Sequence, residues 1–305
     1  MTHLVLVGPT ASGKSTLAAE VANRLKGPAI ELVSVDSMQV YRGMDIGTAK
    51  PTNAEQAERP HHLIDLADPH EEFSVTRFAD AAGRAISAIE QRGHRALLVG
   101  GTGLYIQAVV GDLEPPPQYP DIRAELEGDE DTVALHRRLR ELDEVAGGRM
   151  TPTNRRRIIR ALEVTLGSGR PFSSFGAGVD SYPAAPRFRM AGVWLPRTVT
   201  AARIEQRFTA MLDAGLLDEV GRLARHQPVL SKTARQALGY KELLAHVEQK
   251  QPLDQCISEA VRRTRAFARR QRMWFRRDPR IHWFATPNNP VAVLPALLGE
   301  WSKCS

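Results

Sequence analysis

Cysteine is nearly absent: Cys256 and Cys304 are the only two in the 305-residue sequence. Two such residues make no disulfide framework and lack the neighbours of a zinc site, which fits a reducing, cytoplasmic setting. Long apolar runs are missing as well, none approaching the roughly 18 residues that cross a bilayer. The first residues form neither a basic n-region nor an apolar h-region, so neither secretion nor a membrane partner is expected. No internal repeat points to a solenoid or propeller. What remains is an ordinary globular composition, 42% hydrophobic and 25% charged, long enough for one large domain or two. We expect a monomer.

One stretch is almost without acid. Within residues 261–280 stand Arg262, Arg263, Arg265, Arg269, Arg270, Arg272, Arg276, Arg277 and Arg280, against the single acid Asp278. A second cluster, Arg155-Arg156-Arg157 with Arg160, lies mid-chain. Ordinary solvated helix faces mix both signs. A face this poor in acid points to a polyanion, and nucleic acid is the favoured partner.

The apolar run at residues 4–7 leads into Gly8-Pro9-Thr10-Ala11-Ser12-Gly13-Lys14-Ser15, and a helical segment follows over 16–25. Strand, glycine-rich turn and helix are the setting that G-x-x-x-x-G-K-[ST] requires. The glycines let backbone N–H groups face a phosphate chain. The helix N-terminus adds partial positive charge, Lys14 a full one, and Ser15 a hydroxyl for Mg2+. The chain is therefore expected to bind a di- or triphosphate.

Further strands are expected at 29–35, ending before Asp36, at 62–66, and at 96–99, the last closed by Gly100-Gly101-Thr102-Gly103. Helices are expected over 76–92 and onward from Leu104. Strands alternating with helices specify a parallel sheet with functional residues at the strand C-terminal ends, where the glycine-rich turn, Asp36 and Thr102 all fall. The pattern breaks at Glu114-Pro115-Pro116-Pro117. Residues 123–127, 132–142 and 153–166 read as helices, and 167–186, rich in Gly, Ser and Pro, is expected to be mobile. A strand returns at 190–195, amphipathic helices follow through Ile204, Leu216 and Ile257, and a last strand is expected at 281–284. The fold class is α/β: a P-loop parallel sheet flanked by helices, built from residues 1–113 and 189–305, with an inserted helical domain at 114–188.

The run Asp36-Ser37-Met38-Gln39-Val40-Tyr41-Arg42-Gly43-Met44-Asp45-Ile46-Gly47-Thr48-Ala49-Lys50-Pro51 is far more distinctive than the turn. It stands with Pro60-His61-His62-Leu63-Ile64-Asp65, Gly100-Gly101-Thr102-Gly103-Leu104-Tyr105, Arg235-Gln236-Ala237-Leu238-Gly239-Tyr240-Lys241 and Arg269-Arg270-Gln271-Arg272-Met273-Trp274-Phe275. On these residues, taken in order over nearly the whole chain, the sequence closely resembles the tRNA dimethylallyltransferases. The inserted region matches least. It keeps Arg123 after the prolines and Arg156-Arg157-Ile158-Ile159-Arg160, with Arg156 where the family typically has Gln.

The resemblance implies transfer of a dimethylallyl group from dimethylallyl diphosphate to the exocyclic amine of the adenosine 3′-adjacent to the anticodon in tRNA, releasing diphosphate. The tRNA anticodon arm is the implied partner and Mg2+ the implied cofactor. Gly8, Pro9, Thr10, Ala11, Ser12, Gly13, Lys14, Ser15 and Thr16 with Arg207 are implied to hold the diphosphate, Ser15 ligating the metal. Asp36, Thr102 and Lys14 are implied to be catalytic. Asp36, Ser37, Met38, Gln39, Thr102, Arg123, Arg156, Arg157, Arg160, Arg235, Gly239 and Tyr240 are implied to contact tRNA.

Residue chemistry alone leaves Asp36 open between general base, Mg2+ ligand and cap of the following turn. It reads Arg203 and Arg207 as a helix face salted by Glu205, and Tyr240 and Trp274 as either base-stacking or core residues. His61 and His62 are unassigned, a pair at a strand start more often bonding locally than catalysing. A small-metabolite kinase would share the nucleotide-binding turn but needs neither the basic C-terminal helix nor the run from Asp36 to Pro51. An RNA-binding protein with an ATP-binding switch would bind RNA in an ATP-dependent way and leave adenosine unmodified.

Overall fold

A computed structural model of the chain describes residues 1–111, 113, 115–175, 178–179 and 181–303. Cys304 and the Glu114 that opens the proline run lie outside them. The chain begins with β1 (His3–Val7), α1 (Lys14–Arg24), β2 (Ile30–Val35), α2 (Asn53–Glu58), β3 (His61–His62), α3 (Val75–Gln91), β4 (Arg95–Gly100) and α4 (Gly103–Val110). Four helices follow: α5 (Pro120–Gly128), α6 (Thr132–Leu142), α7 (Glu144–Arg149) and α8 (Arg155–Ser168). Then come β5 (Phe188–Trp194), α9 (Arg197–Asp213), α10 (Leu216–Ala224), α11 (Lys232–Arg235), α12 (Tyr240–Gln249), α13 (Leu253–Phe275), β6 (Ile281–Ala285) and α14 (Leu294–Trp301).

The six strands form one parallel sheet in the order β3-β2-β4-β1-β5-β6. The central strands are buried on both faces, which is why their sequences run continuously apolar. Alternation divides them between two cores. Val5, Val7, Val33, Val35 and Leu98 pack with α3, α4, α10 and α12 on one side. Leu4, Leu6, Leu32, Leu97 and Val193 pack on the other against Leu17 and Val21 of α1 and Leu297 and Trp301 of α14. Each such Leu or Val contributes roughly 1.5–3 kcal/mol by leaving water.

The register decides where function sits. Gly100 pairs with both Val7 and Val35, so β1, β4 and β2 end at one level. The glycine-rich turn, Thr102 and Asp36 follow those ends and are thereby brought together.

The expected strand at 62–66 stops at His62. Leu63 and Asp65 take the left-handed conformation, φ 64° and 55°, which no strand tolerates. Asp65 is held there by Lys50, whose buried ammonium bonds Asp65 Oδ1 at 2.6 Å, Asp45 Oδ1 at 2.5 Å and the Tyr41 carbonyl at 2.7 Å.

Residues 1–111 with 182–305 form one compact unit and residues 112–181 a second, so the boundaries fall somewhat earlier than those expected from sequence. The shift at the second boundary has a cause: Arg280 donates to the Pro183 carbonyl at 3.1 Å and lies over the Tyr182 ring, tying both to the larger unit. The second unit has its own core of Leu126, Leu135, Leu139, Ile158, Ile159 and Leu162. Its segment expected to be mobile is tethered at Phe172–Ser174, where Asp143 accepts from Ser173 N at 2.7 Å and Ser173 Oγ at 2.8 Å.

Candidate active site

The turn after β1 is bent by Ala11 (φ 60°) and Gly13 (φ 78°), and Ser12 N donates back to the Pro9 carbonyl at 3.2 Å. A side chain at Gly13 would meet Pro290 at 2.3 Å, so this left-handed residue has no substitute. α1 starts at Lys14 with no side-chain cap and no acid in its first turn, leaving its first N–H groups and the exposed Ser15 and Thr16 open to an anion. The Ser12 hydroxyl is buried without a partner among the described residues.

Two cations address the same space. Lys14 Nζ makes one long bond, 3.5 Å, to the Pro9 carbonyl, and neither it nor Arg207 of α9 is ion-paired among the described residues. Burial pushes the Lys14 ammonium down to about 8, Arg207 adding to the effect and Asp36 opposing it. Burial likewise lowers Arg207, with Asp36 offsetting part. Arg207 is thus no salted helix face; that role falls to Glu205, which pairs with Arg265.

Asp36 Oδ1 accepts from Met38 N at 2.9 Å, so the turn cap is real, and its other oxygen carries no bond to the described residues. Thr102 caps this arrangement from the neighbouring strand end, its Oγ1 accepting from Ser37 N at 3.1 Å. Gln39 accepts from Ser34 Oγ at 2.7 Å and donates to the Thr48 and Ala49 carbonyls, both at 3.1 Å, closing the loop. Buried Glu219 of α10 then accepts from the backbone of Asp45, Ile46 and Gly47 at 3.0, 2.9 and 3.3 Å. Sequence reading gave no role to Lys50, though it lies in the distinctive run, and missed Glu219, for which an acid on the apolar face of Leu216, Val220 and Leu223 was the available signal.

Two cavities open here. One, of about 420 Å3, is lined by Lys14, Ser15, Thr16, Lys50 and Gly100 among others. The second, of about 310 Å3, is lined by Ser37, Met38, Thr102, Phe208, Tyr240 and Arg270 among others. Thr10, Asp36, Thr48, Arg207, Phe267 and Gln271 line both.

The basic clusters are less free of acid than their sequence implies. Along α13, Arg262 pairs with Glu259, Arg263 with Glu242 of α12 and Arg265 with Glu205 of α9. Arg272 is buried, donating to the Leu195 carbonyl and, at 2.9 Å, to Thr200 Oγ1. Arg269 and Arg270 stay exposed without a carboxylate partner among the described residues. In the 112–181 unit, Arg156 and Arg157 are exposed and unpaired among the described residues, whereas Arg123 and Arg160 both bond buried Glu163, at 3.3 and 2.7 Å. Arg235 is paired with Glu248, and Gly239 (φ 85°) donates its N–H to Glu242 at 2.9 Å. Tyr240 is buried with its hydroxyl donated to Glu219 at 2.6 Å and forms part of the wall of the second cavity, while half-buried Trp274 packs against Gly103. His61 bonds the Arg59 carbonyl locally, as expected of the pair, whereas His62, together with His94, bonds buried Glu31 of β2, far off in sequence.

A parallel-sheet end on which a bare helix N-terminus and two unpaired cations converge beside a carboxylate belongs to the phosphate-handling α/β transferases. Comparison with known proteins narrows the class. The IPP transferase family model matches residues 39–278. The chain is 44% identical to a tRNA dimethylallyltransferase of Geobacter metallireducens, over 98% of this chain and 97% of that protein. It is 46% identical to one of Chloroflexus aggregans, over 94% and 96%. The crystal structure of a Bacillus halodurans tRNA isopentenylpyrophosphate transferase superposes with a TM-score of 0.71 at 37% identity, covering 99% of this chain and 96% of that one. A eukaryotic dimethylallyltransferase acting on tRNA gives 0.74 at 25% identity, covering 98% and 75%. The chain belongs to the tRNA dimethylallyltransferase family.

Proposed function

We propose that the chain transfers a dimethylallyl group from dimethylallyl diphosphate to the exocyclic amine of the adenosine beside the tRNA anticodon. One observation carries the reading in detail: Lys14 and the start of α1 line one cavity, Thr102 lines the other, and Asp36 and Arg207 line both. A diphosphate on the P-loop and a base in the second cavity would meet at that shared wall.

The adenine amine is a weak nucleophile because its lone pair is delocalised into the ring. As its nitrogen bonds C1 of the donor, a proton must leave, and Asp36 is the carboxylate at the shared wall to take it. The breaking C1–O bond delivers negative charge to diphosphate, which the residues from Gly8 to Thr16, Lys14 and Arg207 stabilise. Thr102 fixes the loop that carries Asp36 and lines the cavity that would take the base.

Mg2+ fits this donor set. It binds hard oxygens and keeps several waters when phosphates supply the rest. Ser15 offers such an oxygen, and no cluster of His, Cys, Asp or Glu that would cage a metal occurs among the described residues. Bound, it would offset the charge gathering on the diphosphate.

Extruding the adenosine costs a few kcal/mol, offset by phosphate and backbone contacts. Arg156, Arg157, Arg269 and Arg270 have their full charge available for phosphates; Arg123, Arg160 and Arg235 have donors left beyond their carboxylates, and Ser37, Met38, Gln39, Gly239 and Tyr240 border or support the base side. A monomer in the cytoplasm completes the reading; among the described residues no helix is long and apolar enough to cross a membrane.

The test is incubation with dimethylallyl diphosphate, Mg2+ and unmodified tRNA, then digestion and mass spectrometry of the nucleosides. An adenosine heavier by one dimethylallyl group is expected. Unchanged nucleosides beside ATP-dependent phosphorylation of a small molecule would replace the reading with a kinase.

A further inference from the structure

Gln271 has no place in the chemistry above, yet it lines both cavities and is buried on α13. Its side-chain oxygen accepts from Thr10 N in the glycine-rich turn at 2.8 Å. Its side-chain nitrogen donates to the Gly101 carbonyl, one residue before Thr102, at 2.8 Å. The fit is close: a Cβ on Gly101 would lie 2.3 Å from that nitrogen. One amide thus bridges the glycine-rich turn and the loop that leads to Thr102. The next residue, Arg272, anchors the same helix to the end of β5 and to Thr200 of α9, the helix that carries Arg207. The preceding two, Arg269 and Arg270, are exposed cations.

Resting on the proposed prenyl transfer, we infer that Gln271 is the positioning residue of that reaction. It sets the separation between the Thr10 turn and Thr102, and so between C1 of the donor and the attacking amine. An amide suits the task because one end accepts and the other donates at any pH. A carboxylate in its place would accept from Thr10 but face the Gly101 carbonyl oxygen with a second oxygen. A protonated carboxyl would restore the donor. Misplacement by about 1 Å costs about 10²-fold where catalysis depends on near-attack geometry. Each substrate is held elsewhere, so binding is spared.

The test uses the full-length chain with dimethylallyl diphosphate, Mg2+ and unmodified tRNA, well below the melting temperature of each variant. Gln271→Leu should lower kcat by about 10–10²-fold with the KM of either substrate within about threefold, because only the transition-state alignment is lost. Gln271→Glu should be similarly slow at alkaline pH, and its kcat relative to wild type should rise as pH falls and the carboxyl gains its proton. That rise is a signature which a purely structural residue does not give, and it keeps the question open to measurement if the Leu variant fails to fold. A Gln271→Leu enzyme within twofold of wild-type kcat, or a Glu-to-wild-type ratio flat across pH, overturns the inference. Inactive wild-type enzyme would instead remove the proposed reaction, which separates the two failures.

Discussion

Lys14 is a residue the folded chain should be more stable without. Burial holds its ammonium at about 8, against 10.5 for an ordinary lysine. Folding with that charge therefore costs about 3 kcal/mol, each tenfold displacement of the protonation equilibrium being worth about 1.4 kcal/mol. Below about 8 both folded and unfolded chains hold the proton and the penalty is whole. Between about 8 and 10.5 the unfolded chain holds more protons, so stability climbs with pH, and above 10.5 neither state is charged and the penalty is gone. Lys14→Met keeps the aliphatic stem and deletes the charge. Its melting temperature should exceed that of wild type at neutral pH, by a margin that closes as pH approaches 10.5. The same substitution should lower kcat by about 10² or more, the scale of losing one transition-state donor. In the wild type, donor affinity should weaken as pH rises through about 8, because the ammonium that attracts diphosphate loses its proton there. Thermal melts of both proteins across the alkaline range, with single-turnover rates alongside, make the measurement. A Met variant that melts lower at neutral pH and turns over normally would refute both the burial argument and the placement of diphosphate on this turn.

Asp36→Asn retains the cap on Met38 N but not the basicity, so kcat should fall roughly 10²–10⁴-fold with little change in tRNA affinity; single-turnover rates that recover at high Mg2+ would make Asp36 a metal ligand instead. Replacing Arg156 and Arg157 together with Ala should flatten the log–log salt dependence of tRNA binding by about 1.5, and an unaltered slope would return both to a solvated face. Arg160→Ala should instead lower the melting temperature, since Glu163 is buried and loses a partner at 2.7 Å. For Glu31, burial alone would raise the carboxyl, but hydrogen bonds from Arg92, His62 and His94 hold it at about 2, against 4.5 ordinarily. The cluster's stabilisation, about 3 kcal/mol, is present above the ordinary value and lost as pH falls from 4.5 to about 2; Glu31→Gln should flatten acid denaturation in that window.

Sequence and structure agree best where the determinant is local. β1, the glycine-rich turn and α1 are legible because apolar run, glycine pair and helical periodicity lie within two dozen residues. Asp36 and Thr102 could be placed beside that turn because parallel strands end at one level, whatever their order. The order itself was hidden: β1 pairs with β5 across the whole 112–181 unit, and no local pattern encodes such a return. The ion pairs of the α13 arginines were hidden for the same reason. Glu242 and Glu205, which neutralise two of them, sit on α12 and α9, far off in sequence. Leu63 and Asp65 defeated the strand expected there because a lysine some fifteen residues earlier holds the chain in a conformation that propensity disfavours.

The long loop after β2 is distinctive in sequence because so much of it is spent on holding itself still. Lys50 binds one carbonyl and two carboxylates, Gln39 closes the ring onto Ser34 and two carbonyls, and Glu219 takes three backbone N–H groups and the Tyr240 hydroxyl. Burying Lys50 and Glu219 is costly unless every polar atom is met, so any one partner lost leaves an uncompensated buried charge. Such a network is a poor way to add stability and an effective way to exclude alternative conformations. It fixes the direction in which Asp36 leaves β2, and with Thr102 on Ser37 N it leaves one carboxylate oxygen for the cavities. A base that must take a proton only while a C–N bond forms cannot wander, because the gain from preorganised electrostatics disappears if the group must first be found and turned. The residues that make the chemistry work are accordingly few, and those that hold them in place make up most of the run from Asp36 to Pro51.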